Sequence, residues 1–313
     1  MNYLEYYGLK EDPFKITPDY RYFYPSHSHK KAEDLLKFVI DNGEGFCLIT
    51  GEPGLGKTTV IRKFISTLSK NIIYAFVLTP KLSPEEFLNV VLDDLGLKIS
   101  NAPSKHELLK RFRDFLIEKI KEGKKVLIIV DEAHNLPVET LEELRLLSNL
   151  ETEDEKLVQI ILLGQPELEK KLKSPELRQL DQRIPNRIKL EPLTKEETEK
   201  YIHHRLVIAG NKSIRFDERA INKIYKYSKG IPRIINILSS RALMSAFLNG
   251  SFLVKPQHIE SAKEAVNTDF IIKEKVNWKK YITKKNLIIA LLFIANTLGI
   301  AFIVYQLLNK FFP

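Results

Sequence analysis

The sequence predicts an α/β protein: a parallel sheet covered by helices, then a small all-helical domain, then one long apolar helix. Three observations carry this. Between residues 46 and 190 short apolar runs alternate with amphipathic stretches, the pattern of strands joined by crossover helices. After Pro192 the strand-like runs stop while helix-start signals continue. Near the end, Leu287 to Leu308 is an unbroken run of 22 uncharged residues.

The chain begins with a concentration of rings. Tyr3, Tyr6, Tyr7, Phe14, Tyr20, Tyr22, Phe23 and Tyr24 fall within the first 24 residues. Most of them read as a packed N-terminal wrap, with Tyr24 or His29 as candidates to lie against a nucleotide base. Phe46 to Thr50 is then an apolar run suited to a buried parallel strand. The single Cys47 lies inside that run, where it reads as a small buried hydrophobe; one cysteine excludes an intramolecular disulfide and fits a reducing compartment.

Gly51-Glu52-Pro53-Gly54-Leu55-Gly56-Lys57-Thr58 follows, a complete G-x-x-x-x-G-K-[ST] loop. From Thr59 to Leu68 the apolar residues Val60, Ile61, Phe64, Ile65 and Leu68 recur at helical spacing. Strand, glycine loop and helix are the setting this loop needs. Its glycines let successive N–H groups curl around phosphate, and the helix N-terminus adds positive potential. Gly51 to Thr58 and Thr59 are therefore the expected nucleotide-binding residues. Lys57 is expected on the β- and γ-phosphates and the Thr58 hydroxyl on Mg²⁺, which makes ATP and Mg²⁺ the expected ligands.

Ile72 to Leu78 is the next expected strand. Ser83-Pro84-Glu85-Glu86 and Ser104-Lys105-His106-Glu107 are helix-start boxes, predicting helices over roughly 83–95 and 104–122. Val126 to Val130 is five apolar residues ending in Asp131-Glu132. Acids at the carboxyl end of a central strand stand where α/β proteins bind ligands. Asp131 is expected in the Mg²⁺ shell and Glu132 as the group that orients and polarises the attacking water. Ala133-His134 completes a D-E-A-H string; no catalytic role is assigned to His134. Leu157 to Leu163 is another expected strand, ending at Gly164-Gln165, so that Gln165 is a candidate polar sensor of the γ-phosphate. The segment Leu177-Arg178-Gln179-Leu180-Asp181-Gln182-Arg183 precedes the last strand, Arg187 to Leu190. There Arg178 or Arg183 is a candidate arginine finger for a neighbouring subunit's ATP.

Past Pro192, Thr194-Lys195-Glu196-Glu197 caps a helix to about Ile208, Asp217 opens another, Gly230-Ile231-Pro232-Arg233 leads into a third, and Pro256 opens a fourth. Arg233, at a helix start, is expected to face nucleotide across the interdomain cleft. A P-loop sheet domain with a helical lid is the AAA+ arrangement. The expected organisation is a wrap and P-loop α/β domain over 1–192, a helical lid over 193–268, a basic linker over 269–285, a transmembrane helix over 286–308 and a tail over 309–313.

Charge supports the last part. The net charge is +9, and Lys273 to Pro313 holds seven lysines and one glutamate. That stretch carries +6, leaving +3 for residues 1–272, so the basic excess is no broad nucleic-acid surface. At ~1.5 Å per residue the apolar run is long enough to span a bilayer core. Lys279, Lys280, Lys284 and Lys285 precede it and only Lys310 follows, which by the positive-inside rule keeps the body in the cytoplasm. Met1 to Ile16 has no basic stretch followed by an apolar one, so no signal peptide is expected there. The expected location is the inner membrane, single-pass, with about five residues beyond.

As a set, these motifs resemble the ExeA / general secretion pathway protein A (GspA) family of AAA+ ATPases. They are Tyr3-Leu4-Glu5-Tyr6-Tyr7-Gly8-Leu9, Pro13-Phe14, Thr17-Pro18-Asp19, Gly43-Glu44-Gly45-Phe46, the glycine loop, Asp131-Glu132-Ala133-His134, Leu163-Gly164-Gln165-Pro166-Glu167-Leu168 and Gly230-Ile231-Pro232-Arg233. The resemblance covers about residues 3–265. It implies a membrane-anchored ATPase that supports assembly or operation of a type II secretion or pilus/export system, as a homo-oligomer with a GspB-like inner-membrane partner. Long members carry a periplasmic peptidoglycan-binding domain after the membrane helix; this sequence reads as a short form. Two readings compete: a transposition-type, TniB-like DNA-associated AAA+ regulator, and a nucleotide-gated scaffold with little turnover. A helicase is disfavoured because no second RecA-like domain follows Leu193.

Overall fold

The computed structural model describes residues 2–265 apart from 79–80, 98–103, 152–155 and 212. Residues Met1–Phe270 group as one compact unit. The basic stretch 269–285 and the apolar stretch 286–308 lie outside the described residues. Among the described residues, no helix is long and apolar enough to cross a membrane.

The chain opens with α1 (Tyr3–Tyr7) and α2 (His27–Asp41), then β1 (Phe46–Thr50), α3 (Lys57–Ile65) and β2 (Ile72–Val77). Next come α4 (Pro84–Asp94), α5 (Lys105–Lys121), β3 (Lys125–Val130), α6 (Val138–Leu147) and β4 (Gln159–Gly164). The α/β part ends with α7 (Pro166–Leu172), α8 (Arg178–Gln182) and β5 (Asn186–Lys189). Each start signal acts locally. Ser83 caps α4 in a reciprocal box with Glu86, and Ser104 accepts from the Glu107 N–H to open α5.

Among the described residues these strands form one five-stranded parallel sheet ordered β2-β3-β4-β1-β5. The two-residue strand period divides its side chains between two cores. Phe46, Leu48, Ile128, Val130, Ile160 and Leu162 pack with α4, α5 and α6. Cys47, Ile49, Leu127, Ile129, Ile161 and Leu163 pack with α2 and α3 on the other face. The register pairs Thr50 with Gly164 and Val130 with Leu162. The residues that follow these strand ends, Gly51, Asp131 and Gln165, therefore emerge along one edge of the sheet, the crevice where such sheets bind ligands.

The helical part contains α9 (Lys195–Ile208), β6 (Arg215–Phe216), α10 (Glu218–Ser228), α11 (Pro232–Leu248), β7 (Leu253–Val254) and α12 (Pro256–Ala265). Thr194 caps α9 in a reciprocal box with Glu197, and Asp217 caps α10. The short β6–β7 ladder was absent from the sequence reading; two residues a side is too short for a period to show. The turn into α11 runs through Lys229 and Gly230, both left-handed. A Cβ on Gly230 would stand 2.0 Å from the Leu193 carbonyl oxygen, so only glycine fits where the linker crosses this turn.

The sequence grouped the N-terminal wrap with the α/β part. Its buried side chains instead join the helical core: Tyr7, Leu9, Phe14 and Tyr22 pack with Leu206, Ile235, Leu243 and Ile259. Tyr7 donates its hydroxyl to the Ser251 carbonyl at 2.9 Å, and Tyr6 stacks on Phe252. Burial pushes the Tyr7 phenol up to about 12.

Candidate nucleotide site

Where the sheet edge, the wrap and the helical part meet, a cavity of about 630 Å³ opens, within the range of small-molecule sites. Its floor is Pro53, Gly54, Leu55, Gly56, Lys57, Thr58 and Thr59; one side carries Glu132 and Gln165; the other is closed by Tyr22, Phe23, Tyr24, His29, Tyr201, Arg205, Arg233 and Asn236.

The glycine loop is shaped by its own sequence. Gly54 and Gly56 have φ of +85° and +96°, conformations that L side chains rarely adopt. Gly54 has a second constraint that the motif alone does not reveal. A Cβ there would lie 2.7 Å from the Arg233 Cβ, and the Gly54 carbonyl accepts the Arg233 N–H at 3.2 Å. The loop glycine thus admits the start of α11. Lys57 is buried, and its ammonium donates to the Gly51 carbonyl at 2.7 Å and the Glu52 carbonyl at 3.4 Å. Burial pulls its pKa down, opposed by the carboxylates of Glu132 and Asp131. Phosphate oxygens would take over these contacts and, being negative, favour the charged ammonium.

Thr58 donates its hydroxyl to Asp131 Oδ2 at 2.6 Å. Asp131 is buried at the end of β3, its backbone N–H bonded to the Val77 carbonyl. A hydroxyl and a carboxylate converging beside a phosphate loop are the donor set Mg²⁺ takes, since this ion is usually held by one or two carboxylates plus phosphate oxygens and water. No group of three His, Cys, Asp or Glu among the described residues is arranged to hold a metal ion by itself, and Mg²⁺ does not need one. Bound there, the ion would neutralise negative charge developing on the phosphates. Glu132 sits at φ +53°, a costly conformation for a residue with a Cβ, and is fixed by the 3₁₀ turn Ala133–Asn135 that follows. Glu132 lines the cavity, with its Oε2 3.3 Å from His134 Nδ1. Gln165, the N-cap residue of α7, faces it across the edge.

The structure brings together the cavity residues from Pro53 to Thr59 with Glu132, Gln165 and Arg233. Gly51 and Glu52 contribute through their carbonyls, and Asp131 through Thr58. Arg178 and Arg183 are elsewhere: both are exposed on the segment between α7 and β5 and neither lines this cavity.

Tyr24 and His29 do reach the cavity, but His29 is locked in place. It is buried, its Nε2 bonds the Leu55 carbonyl at 2.9 Å, and the Ser26 hydroxyl bonds Nδ1 at 2.6 Å. Burial lowers its pKa. Sequence reasoning missed Tyr201, Arg205 and Asn236. Arg205 is buried; its guanidinium donates to the Pro13 carbonyl, to the Lys15 carbonyl at 3.3 Å and to the Tyr201 hydroxyl at 2.8 Å, and lies 4.6 Å from the Tyr22 ring centre. Tyr201 donates to Asn236 Oδ1 at 2.9 Å. A fully polar side chain facing inward on a helix was the only available signal, and its partners are some 190 residues away in sequence.

A five-stranded parallel sheet with a glycine loop after β1, acids after β3 and a helical cap over the cleft defines a P-loop nucleotide-binding protein of the AAA class. Residues 40–172 match the family described as "AAA domain". Solved structures agree on the fold: Cdc6p from Pyrobaculum aerophilum has a TM-score of 0.67 at 18% identity, covering 83% of this chain and 72% of that one. The Aeropyrum pernix ORC1 protein in complex with DNA has a TM-score of 0.59 at 18% identity, covering 83% and 70%. At such identities only the fold is shared. General secretion pathway protein A of Aeromonas hydrophila is 40% identical over 249 residues, 80% of this chain. The chain belongs to the GspA/ExeA-like family of AAA proteins. It spans 46% of the length of that Aeromonas relative. The ATP-dependent target DNA activator B of Escherichia phage Mu is also similar, at 28% over 66% of this chain and 62% of the phage protein.

Proposed function

We propose that the chain is a membrane-anchored ATPase that supports assembly or operation of a secretion or pilus system. The observation that carries the ATPase reading is the convergence of Lys57, Thr58, Asp131, Glu132, Gln165 and Arg233 on one cavity from four separate elements. Lys57 and the loop N–H groups hold the β- and γ-phosphates, and Thr58 with Asp131 holds Mg²⁺. Glu132 orients a water and accepts its proton as the water oxygen bonds to the γ-phosphorus, and ADP leaves with the β–γ bridging oxygen as the bond from that oxygen to the γ-phosphorus breaks. Gln165 touches the γ-phosphate, Arg233 reports it to the lid, and exposed Arg178 or Arg183 serves a neighbouring subunit's site. The 40% identity to the Aeromonas secretion protein supports the physiological setting, with an inner-membrane partner of the GspB type. The uncharged stretch 287–308 behind four lysines supports anchoring.

The likeness to the phage DNA activator favours a second reading, a DNA-associated regulator, against which stands the charge of only +3 over residues 1–272. One preparation separates them. The full chain should partition with membranes, a variant lacking 286–308 should not, and ATP hydrolysis should be indifferent to duplex DNA. Salt-dependent retention on duplex DNA, with hydrolysis stimulated by it, would install the second reading instead.

A further inference from the structure

His134 is the one part of the D-E-A-H string to which the sequence gave no task. It sits in the 3₁₀ turn that follows Glu132 and is mostly buried; its side chain is 12% exposed. Three contacts converge on it. The backbone N–H of Gln165 donates to its Nδ1 at 3.4 Å. The Glu132 carboxylate oxygen Oε2 stands 3.3 Å from the same Nδ1. The Lys171 ammonium, from α7, donates to the His134 carbonyl at 3.5 Å and to the Leu136 carbonyl.

One ring nitrogen cannot serve both partners. To accept the Gln165 N–H, Nδ1 must present its lone pair, which puts the ring proton on Nε2; to bond the Glu132 carboxylate, Nδ1 must carry the proton. Both stand at similar distance, and only the Gln165 N–H has hydrogen-bond geometry to Nδ1. Gln165 makes the hydrogen bond, and Glu132 Oε2 is buried with no hydrogen-bond partner. A buried carboxylate oxygen without a partner is costly, and here it faces a lone pair. The cost is relieved when the side chain turns toward the cavity that Glu132 already lines, where a water on the nucleotide would supply the missing hydrogen bond.

We propose that His134 is a positioning residue: by taking the Gln165 N–H on Nδ1 it denies Glu132 a resting partner and keeps that carboxylate available to the nucleotide's water. The loop that carries the polar sensor and the acid that acts on water are then joined through one nitrogen. If Gln165 withdraws, the proton moves to Nδ1 through solvent, Glu132 docks on it, and the acid is parked. Lys171 holds the turn that sets this geometry. The proposal deepens the ATPase reading and rests on Glu132 acting on water.

The test uses the full chain. His134→Leu offers Glu132 no donor at all, whereas His134→Lys carries donors only, cannot accept from Gln165 and gives Glu132 a standing partner. His134→Lys should lower kcat for ATP by about tenfold, a part of what general-base assistance contributes, with ATP affinity unchanged. His134→Leu should stay within about threefold of wild type. A lysine variant as active as wild type, a leucine variant as impaired as lysine, or ATP affinity falling along with kcat, would overturn the proposal. A second measurement stands apart from turnover: ¹⁵N spectra of the histidine rings, with the His134 signal assigned by its loss in His134→Leu. The Nε2–H tautomer is expected in the nucleotide-free chain, and an Nδ1–H ring there would overturn the proposal. Absence of hydrolysis in the wild type would defeat the ATPase reading, while the tautomer would still decide whether Gln165 owns the nitrogen.

Discussion

The two ends of the cleft are built in opposite ways. The phosphate end is local. Gly54, Gly56, Lys57 and Thr58 lie within five residues, their conformations are set by their own sequence, and Asp131 and Glu132 follow a strand buried from Val126 to Val130. The other end is assembled from distance: Arg205 on α9 grips the carbonyls of Pro13 and Lys15 and contacts Tyr201, which bonds Asn236 on α11. At the first end side chains wait for a ligand; at the second they already satisfy one another. Residues of the phosphate end should therefore govern ligand binding, and residues of the far end should govern the stability of the cap.

The largest effect expected from this contrast is at Lys57. Replacing it with Met should weaken ATP binding roughly 100-fold, the loss of charge-assisted bonds worth about 3 kcal/mol. Thermal stability should be no lower, because a buried, desolvated ammonium is removed. Isothermal titration beside calorimetric unfolding checks both halves; a fall in stability would break the comparison.

Next in size is Arg205→Ala. It leaves the Pro13 and Lys15 carbonyls without their donor and removes the cation from the Tyr22 ring. A loss of about 2 kcal/mol in unfolding free energy is expected, with ATP affinity changing severalfold at most. Denaturant unfolding measures the first, and an affinity loss as large as that of Lys57→Met would contradict the division of labour.

The smallest effect is acid sensitivity, and it involves neither the phosphate ligands nor the Arg205 cluster. His29, His204 and His258 all have pKa values lowered by burial, so their native rings prefer to be neutral. The unfolded chain then binds more protons below its ordinary histidine value near 6.5, and stability that is complete above that pH is lost as pH falls through it toward the lowered native values. For one ring the slope is at most about 1.4 kcal/mol per pH unit. His29→Gln should flatten the decline between about pH 6.5 and 5; an unchanged slope would remove His29 from the account.

The same contrast explains what could be read beforehand. The strands, the caps at Ser83, Ser104, Thr194 and Asp217, and the phosphate end were legible because each is written in contiguous residues: a short apolar run, a capping oxygen, a glycine-rich loop ending in Lys-Thr. The wrap was not. Tyr7 and Phe14 announce burial, but nothing near them says that the burial is against α9 and α11 rather than the sheet. Gly54 was read for its loop alone, because the approach of Arg233 is set by the turn at Gly230, some 175 residues on. His134 went unassigned since its two competing partners, Glu132 and Gln165, meet only when β3 and β4 pair.

The account's central claim is that Glu132 converts bound ATP into turnover. The direct measurement is phosphate release by the full chain and by Glu132→Gln at matched ATP occupancy, with the inner-membrane partner present. The account predicts ATP binding equal within about threefold, with release in the variant lower by at least about 100-fold, the usual scale of a lost general base. Equal rates of release in the two proteins would contradict it and leave a nucleotide-gated scaffold in its place.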